Sequence, residues 1–372
     1  MKSEWTRTKL LNVCSRLSSG KSIPAKKMRG KGHIPVYGGN GVRGYIDAEE
    51  NFNGECAIIG RQGAYCGNVR YYSGKAYMTE HAIVIQANEL ADTRFLAYKL
   101  SLMQLGRLSG QSAQPGLSVK VLGEQVIEIP PLPIQRKIAS ILSTLDDKIE
   151  TNNAICRNLE EQAMALFKKR FYSFSGQHGG EKPVYDFAEF INGTAFKQRE
   201  YGSTGLPIIK IAELKSGITS STLLYSGSNK DEKYYIQNGD ILFSWSGNPD
   251  TSIDVFIWAR GDAILNQHIF NVKSRYGAKW FTYLMLKSYM PVFAKIAMDK
   301  QTTGLGHVTV ADLKRLTFSF NLEHILSFEK EVSFYMEQVY NTLIENNTLS
   351  ILRDILLPKL MNGKLDLDRI EA

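Results

Sequence analysis

The feature that most constrains the fold of this chain is an internal repeat. Two halves pass through the same features in the same order: a glycine-containing turn before an apolar strand, a histidine before a second strand, an aromatic-rich helix and a polar loop. The matching segments are residues 53–59 and 238–243, 79–84 and 266–270, 95–100 and 280–285, and 111–118 and 301–308. So long an offset indicates a duplicated domain and not a short solenoid repeat.

Each half closes with a segment that has the pattern of a long helix. The first segment follows the prolines at positions 130, 131 and 133, which the interior of a helix does not accept. Its apolar residues recur with the heptad spacing of a coiled coil. The strict heptad positions are Ile138, Leu145, Asn152, Leu159 and Leu166, and a second seam holds Ile141, Ile149, Ile155 and Ala163.

The second helical segment has the same spacing. Its strict positions are Ile325, Val332, Val339 and Asn346, with Phe328, Tyr335, Leu349 and Leu356 on the companion seam. Each helix thus carries one asparagine, Asn152 or Asn346, on a largely apolar seam. The two asparagines either hydrogen-bond each other and set the register of the helix pair, or turn outward at an imperfect heptad. The sequence leaves both alternatives open.

These patterns predict an α+β chain with a pseudo-twofold internal duplication. Two similar α/β domains are separated by two long antiparallel coiled-coil-like helices, each roughly 58 Å long at ~1.5 Å per residue. The predicted segments are a first domain at 1–130, a first spacer helix at 131–172, a linker at 173–182, a second domain at 183–320, a second spacer helix at 321–363 and a tail at 364–372.

The charge of the chain favours a polyanionic partner. The formal net charge is +8, and residues 5–46 hold nine lysines and arginines without any aspartate or glutamate. Neither a long apolar run nor a signal peptide is evident, which predicts a cytoplasmic protein. The four cysteines lack Cys-x-x-Cys spacing, so we expect neither a disulfide framework nor a zinc site.

Three segments resemble a known family. Residues 129–139 (IPPLPIQRKIA), 159–167 (LEEQAMALF) and 352–365 (LRDILLPKLMNGKL) are similar to the helix boundaries of type I restriction–modification specificity subunits. The resemblance follows the order target-recognition domain, spacer helix, target-recognition domain, spacer helix along the whole chain. The second boundary, residues 318–324 (FSFNLEH), lacks the Pro-Leu-Pro-Ile-Gln pattern of the first.

The resemblance implies a non-catalytic subunit that reads DNA for host defence. Each recognition domain would read one half of a bipartite double-stranded target, and the helices would fix the gap between the halves. Two adenine-N6 methyltransferase subunits would dock on this chain, and restriction/translocase subunits would join them. S-adenosylmethionine, ATP and Mg would bind those partners, and no cofactor or metal would bind this chain.

Candidate DNA contacts follow from residue chemistry, with lysine and arginine for phosphates and arginine, glutamine and small polar groups for bases. In the first domain we predict Lys21, Lys26, Lys27, Arg29, Lys31, Arg43, Arg61, Gln62, Gln111, Ser112 and Gln114. In the second domain we predict Lys197, Arg199, Lys210, Ser244, Trp245, Ser246, Asn248, Lys300, Gln301, Thr302 and Thr303. His81 and His268 are interpreted as core histidines.

Other motifs do not indicate an active site. Residues 39–44 fit Gly-x-Gly-x-x-Gly and residues 15–22 imitate a phosphate-binding loop, but neither motif has the strand–turn–helix setting that nucleotide binding needs. Two other functions remain open at this point. The chain could belong to a modification-only methyltransferase assembly, or it could be a coiled-coil scaffold that does not bind DNA.

Overall fold

The computed structural model describes residues 5–109, 116–172, 180–301 and 305–365. The chain forms two compact units, the first from the described residues of Met1–Asp147 and Ser350–Ala372 and the second from Lys148–Leu349. The long helices occupy residues 132–171 and 322–361, and each contributes one part to each unit. The predicted domain boundaries stay a prediction, because the compact units include parts of both helices.

The first unit is built on a six-stranded sheet. Its elements are β1 (Thr6–Lys9), β2 (Cys14–Ser19), β3 (Ile34–Gly38), β4 (Gly41–Ile46), β5 (Phe52–Gly60), β6 (Val69–Met78), β7 (Ala82–Ala87), α1 (Thr93–Ser101), α2 (Val119–Gly123), β8 (Val126–Ile129) and the start of α3 (Leu132–Phe171). The strand order is β2–β7–β5–β6–β3–β4, and β1 pairs with β8. The core joins Phe95 and Leu100 of α1 to Ile83 of β7 and Ile138 of α3.

The second unit contains a four-stranded sheet and a smaller five-stranded one. Its elements are β9 (Glu181–Pro183), β10 (Ala188–Asn192), β11 (Tyr201–Gly202), β12 (Leu206–Ile209), α4 (Ile211–Ser216), β13 (Leu224–Tyr225), β14 (Tyr235–Ile236), β15 (Ile241–Ser244), β16 (Ser246–Gly247), β17 (Asp254–Ile257), β18 (Ala263–Leu265), β19 (Ile269–Ser274), α5 (Lys279–Ser288), α6 (Met290–Asp299), β20 (Gly306–His307), α7 (Val310–Arg315), β21 (Thr317–Ser319) and most of α8 (Leu322–Met361). Its core contains buried phenylalanines from α3, β10, β15, β19, α5, α6, β21 and α8.

The strand orders of the two units confirm the internal repeat. The order β2–β7–β5–β6 in the first unit corresponds to β10–β19–β15–β17 in the second. The two-stranded ribbon β1–β8 corresponds likewise to β9–β21, and α1 and α2 correspond to α5 and α7. The β3–β4 hairpin belongs to the first unit, whereas the sheet β11–β13–β12–β18–β14 belongs to the second. The predicted α+β fold with duplicated domains and two long helices is therefore confirmed.

Within the second unit, α3 and α8 run antiparallel. The side-chain amide of Asn152 donates to Asn346 Oδ1 at 2.9 Å, and Arg170 donates to the hydroxyl of Ser327 at 3.0 Å. The strict heptad residues of α8 are all buried. One predicted seam residue is wrong: Ile155 is 43% exposed, and Cys156 is buried in its place. The helix turns by about 100° per residue, so this shift of one position moves the seam to the next face.

Asn152 and Asn346 lie inside the helix pair and do not turn outward. Their side chains are 1% and 8% exposed. Besides their mutual bond, Asn346 Nδ2 donates to Asn153 Oδ1 at 3.0 Å, and Asn152 Nδ2 lies 2.8 Å from Glu345 Oε2. The amide of Asn346 is therefore hydrogen-bonded at both its nitrogen and its oxygen, and Asn152 is bonded through its nitrogen. The role of the two asparagines in setting register stays a prediction.

Two further observations concern the chain as a whole. Among the described residues, no helix combines the length and apolar composition that a membrane span requires. The four cysteines, all within the described ranges, are free thiols, and burial raises the pKa of Cys56 to about 12.

Candidate nucleic-acid interface

Three turns of the first unit meet at one place, which we call the first turn cluster: residues 38–41, 60–68 and 79–81. The backbone N–H of Arg61 donates to the carbonyl of His81 at 3.0 Å, and the N–H of Thr79 donates to the carbonyl of Tyr37 at 3.0 Å. Gly60 is required here, because a Cβ at this position would lie 2.2 Å from the carbonyl oxygen of Tyr65. The backbone thus holds these turns together.

The exposed side chain of Gln62 is held by its neighbours in this cluster. Gln62 Oε1 lies 3.1 Å from His81 Nδ1, and His81 Nε2 lies 3.3 Å from Glu80 Oε1. An imidazole that donates from Nδ1 orients the amide of Gln62 and leaves its NH2 group free for a ligand. A glutamine presented in this way suits recognition of a base edge.

The polar loop that follows α1 reaches the same cluster. The N–H of Leu117 donates to the carbonyl of Arg61 at 2.8 Å, and Gln62 forms an isolated bridge with Gly116. The loop residues Gln111, Ser112 and Gln114 lie outside the described residues.

The second unit repeats these backbone contacts in a second turn cluster, residues 244–248, 266–268 and 305–308. The N–H of Trp245 lies 3.4 Å from the carbonyl of His268, and the N–H of Val308 donates to the carbonyl of Trp245 at 2.8 Å. Ser246 pairs with His307, as Gln62 does with Gly116. Trp245 and Ser246 therefore correspond to Arg61 and Gln62. The predicted contacts Thr302 and Thr303 lie outside the described residues.

Three predicted contacts of the second unit are buried or are engaged by other side chains. Ser244 is fully buried, so a direct DNA contact by its side chain does not fit the structure. Trp245 is half-buried; its indole N–H donates to Asn192 Oδ1 at 3.0 Å and its ring packs on Phe270. Lys300 forms an ion pair with the buried Asp312. The hydrogen bonds from Thr309 and Lys300 hold the pKa of the Asp312 carboxyl below its usual range, against its burial.

The basic loop of the first unit is exposed. Lys21, Lys26, Lys27, Lys31 and Arg43 all reach solvent. Arg29 also does, although it pairs with Asp47 at 2.8 Å. The N–H of Lys21 donates to the carbonyl of Met78 at 2.9 Å, which brings the start of this loop next to the first turn cluster. These side chains are thus available for phosphate contacts.

The remaining candidates of the second unit are more scattered. Lys197, Arg199, Asn248 and Gln301 are exposed, whereas Lys210 is half-buried at the start of α4. Lys197 and Lys210 each bind a glutamate three residues later through the backbone N–H. Lys197 and Arg199 lie at the short 3-10 turn before β11, outside the residues that define the second turn cluster.

The interpretation of His81 and His268 as core histidines is wrong. His81 is half-exposed and His268 is exposed, and both lie in the turn before a strand. The apolar residues around them belong to the strands that begin just after, β7 and β19. Their matching positions in the repeat were the available signal that both histidines belong to the turn clusters.

Sequence reasoning also missed two arginines beside the first turn cluster. Arg70 lies at the start of β6, and its guanidinium group approaches Gly41 in the β3–β4 turn. Arg107 lies in the short 3-10 turn Leu105–Leu108 after α1. The available signal for Arg70 was its position two residues after the glycine-rich turn at 60–68.

Comparison with known proteins assigns this fold. Residues 2–161 and 180–353 match a family model described as the type I restriction modification DNA specificity domain. The chain belongs to this family. The two matches cover both halves of the repeat, which agrees with the resemblance of the helix boundaries.

Relatives in the specificity family cover this chain to different extents. The type I restriction enzyme EcoprrI specificity subunit of Escherichia coli is 37% identical over 144 residues, which are 38% of this chain and 36% of that protein. The MjaIX specificity subunit of Methanocaldococcus jannaschii is 26% identical over 292 residues, covering 71% of this chain and 66% of that protein. These alignments therefore span about one third and two thirds of the two relatives.

A solved structure has the same fold. The crystal structure of a type I restriction–modification system S subunit from M. genitalium aligns with a TM-score of 0.59 and covers 96% of both chains, with 15% sequence identity. The similarity extends over the two units and both long helices.

Proposed function

We propose that this chain is the non-catalytic DNA specificity subunit of a type I restriction–modification assembly. Each turn cluster reads one half of a bipartite double-stranded target. The observation that carries the proposal is the repetition of the same backbone contacts around Arg61 and Gln62 and around Trp245 and Ser246. A duplicated reader suits a target with two separate halves.

The long helices supply the second part of the proposal. Forty residues at ~1.5 Å each make α3 and α8 roughly 60 Å long, against about 34 Å for one turn of duplex DNA. The helices fix the unread gap between the two half-sites. Their solvent-facing sides dock two adenine-N6 methyltransferase subunits, which restriction/translocase subunits join.

The reaction chemistry belongs to the partner subunits in this proposal. They bind S-adenosylmethionine, ATP and Mg, while this chain selects the site in the cytoplasm. Among the described residues, no group of three or more histidine, cysteine, aspartate or glutamate side chains is arranged to hold a metal ion. The chain contributes affinity through its exposed cations and selectivity through its turn clusters.

An exchange of one reader tests the proposal. Residues 1–130 are replaced by those of a relative, the chain is expressed with its methyltransferase partners, and methylated adenines are mapped across the genome. We expect one half of the methylated sequence to change while the other half and the gap stay constant. A methylome that changes in both halves, or that lacks a bipartite motif, would contradict the proposal. Methylation without cleavage would identify a modification-only assembly.

A further inference from the structure

A cleft beside the first turn cluster has the composition of a phosphate site. It has a volume of about 670 Å³ and lies between the end of the 60–68 turn and the segment that follows α1. Both Arg70 and Arg107 line it, together with Asn68, Ser101 and Gln104. None of the described residues that line it is acidic. Positive charge is therefore concentrated there without local compensation.

The two arginines differ from those cations of the same unit that are paired with carboxylates. Lys9, Arg29 and Lys75 each face a carboxylate, at 2.7, 2.8 and 2.9 Å. Within the described ranges, neither Arg70 nor Arg107 has a carboxylate within 4.0 Å, and both side chains are exposed. A guanidinium group of this kind offers a planar pair of donors that fits a phosphate.

The walls of the cleft are fixed by the backbone. A Cβ at Gly67 would lie 2.1 Å from the backbone nitrogen of Gly106, so the turn and the segment after α1 approach as closely as glycine permits. Gln104, which begins that segment, has a left-handed backbone with φ of 49°. The thiol of Cys66 donates to the carbonyl of Arg61 at 3.3 Å, which connects the cleft wall to the turn that carries Gln62.

We propose that Arg70 and Arg107 clamp a DNA backbone phosphate at the edge of the first half-site, which rests on the proposed function. The clamp sets the position of the duplex against Gln62, because the same rigid turn carries Gln62 and forms the cleft wall. It contributes affinity and register without reading a base. The second unit lacks a described arginine pair at the corresponding place, so the clamp distinguishes the first reader from the second.

The test uses the chain assembled with its methyltransferase partners and a duplex that contains its methylated target. Affinity is measured from 50 to 300 mM salt for Arg70→Gln, Arg107→Gln and wild type. We expect each substitution to reduce the slope of log K against log salt by about one and to weaken binding roughly tenfold for target and non-target DNA alike. Arg7→Gln is the matched control, since Arg7 is exposed but faces Glu128 on the β1–β8 ribbon.

Phosphate ethylation interference locates the contact. We expect ethylation of one or two phosphates beside the first half-site to block the wild type and to have less effect on Arg107→Gln. Unchanged salt slopes in both arginine variants would overturn the clamp, and so would an equal loss of DNA affinity in Arg7→Gln. If wild-type binding of the target still depended on salt, the proposed function would stand. A wild-type assembly without target preference would contradict the proposed function itself. Competition by millimolar inorganic phosphate with an unchanged DNA slope would assign the cleft to free anions and overturn the clamp.

Discussion

Gln62 illustrates how one side chain is prepared for recognition at the residue scale. Its amide is exposed, and its oxygen lies against His81, so its orientation is limited before DNA arrives. An oriented amide loses less conformational entropy on binding than a free one. The corresponding residue of the second unit, Ser246, is shorter and is paired through its backbone with His307. The two clusters thus share a backbone and differ in the side chains that they present.

We predict that Gln62→Ala relaxes selectivity at one base pair of the first half-site, with a loss of discrimination of about 1–3 kcal/mol. The matched substitution Ser246→Ala should affect only the second half-site. The measurement is the methylated sequence spectrum of cells that carry each variant with the partner subunits. A change in the wrong half for either variant would contradict the assignment of clusters to half-sites.

The exposed lysines of the first unit should act on affinity and not on selectivity. Lys26→Ala with Lys27→Ala is expected to lower the salt slope of DNA binding by up to about two, because each phosphate contact releases about one counterion. Target preference should not change. The control replaces Lys9 and Lys75, which already face Glu124 and Glu50. If the control lowers the slope as much as the test variant does, Lys26 and Lys27 are not the phosphate contacts.

At the scale of elements, the buried asparagine pair is a polar feature of the helix seam in the second unit. Asn152→Ala removes the N–H donor to Asn346 and leaves the buried side-chain oxygen of Asn346 without this hydrogen bond. We therefore expect a loss of about 1–3 kcal/mol in the free energy of unfolding. Asn152→Leu combined with Asn346→Leu should recover most of that loss. Urea denaturation measures both. If the single variant were as stable as the wild type, the bond would contribute nothing.

The start of α5 depends on a carboxylate supplied by α8. Glu329 accepts hydrogen bonds from the backbone N–H groups of Trp280 at 3.0 Å and Phe281 at 2.7 Å. Burial raises the pKa of this carboxyl above its ordinary value of 4.5, although the two N–H donors and Lys279 lower it. The folded protein therefore binds this proton more tightly than the unfolded chain does.

The raised pKa has a predictable effect on stability. At pH values between the ordinary pKa and the raised one, the Glu329 carboxyl is protonated more often in the folded state than in the unfolded chain. The contribution of Glu329 to stability therefore falls as pH rises through this window. Glu329→Gln should remove that part of the pH dependence. Thermal unfolding from pH 4 to 8 measures it, with Glu331→Gln as a control because Glu331 is exposed. Parallel pH profiles for wild type and Glu329→Gln would contradict the burial argument.

The sequence predicted the elements better than the contacts. Heptad spacing and the prolines before residue 134 located the helices, because those signals are local. The burial of Ser244 and the ion pair of Lys300 with Asp312 were not predictable, because both depend on how separate elements pack together. Arg70 and Arg107 were missed for the same reason. They are 37 residues apart in sequence, and the contact between Gly67 and Gly106 is what places them on one cleft.

At the scale of the whole molecule, the length of the helices should determine the gap in the target. Seven residues inserted after Asp147 and again after Leu349 would lengthen α3 and α8 by ~10 Å each and preserve their heptads. We expect the gap in the methylated motif to grow by about three base pairs. The same seven residues inserted between the exposed Ser228 and Asn229 provide the control. A gap of unchanged length would contradict a spacing role for the helices.

The composition of the first unit has a consequence for synthesis of the protein. Leu360 and Met361 of α8 are buried in the same core as Ile138 and Leu142, and the ammonium group of Lys99 donates to the carbonyl of Met361. The ribosome makes this closing segment more than two hundred residues after the rest of that core. The first unit therefore stays incomplete until the second has been translated, so a nonsense codon before Leu360 removes part of the core of the first unit even where it leaves the second unit whole.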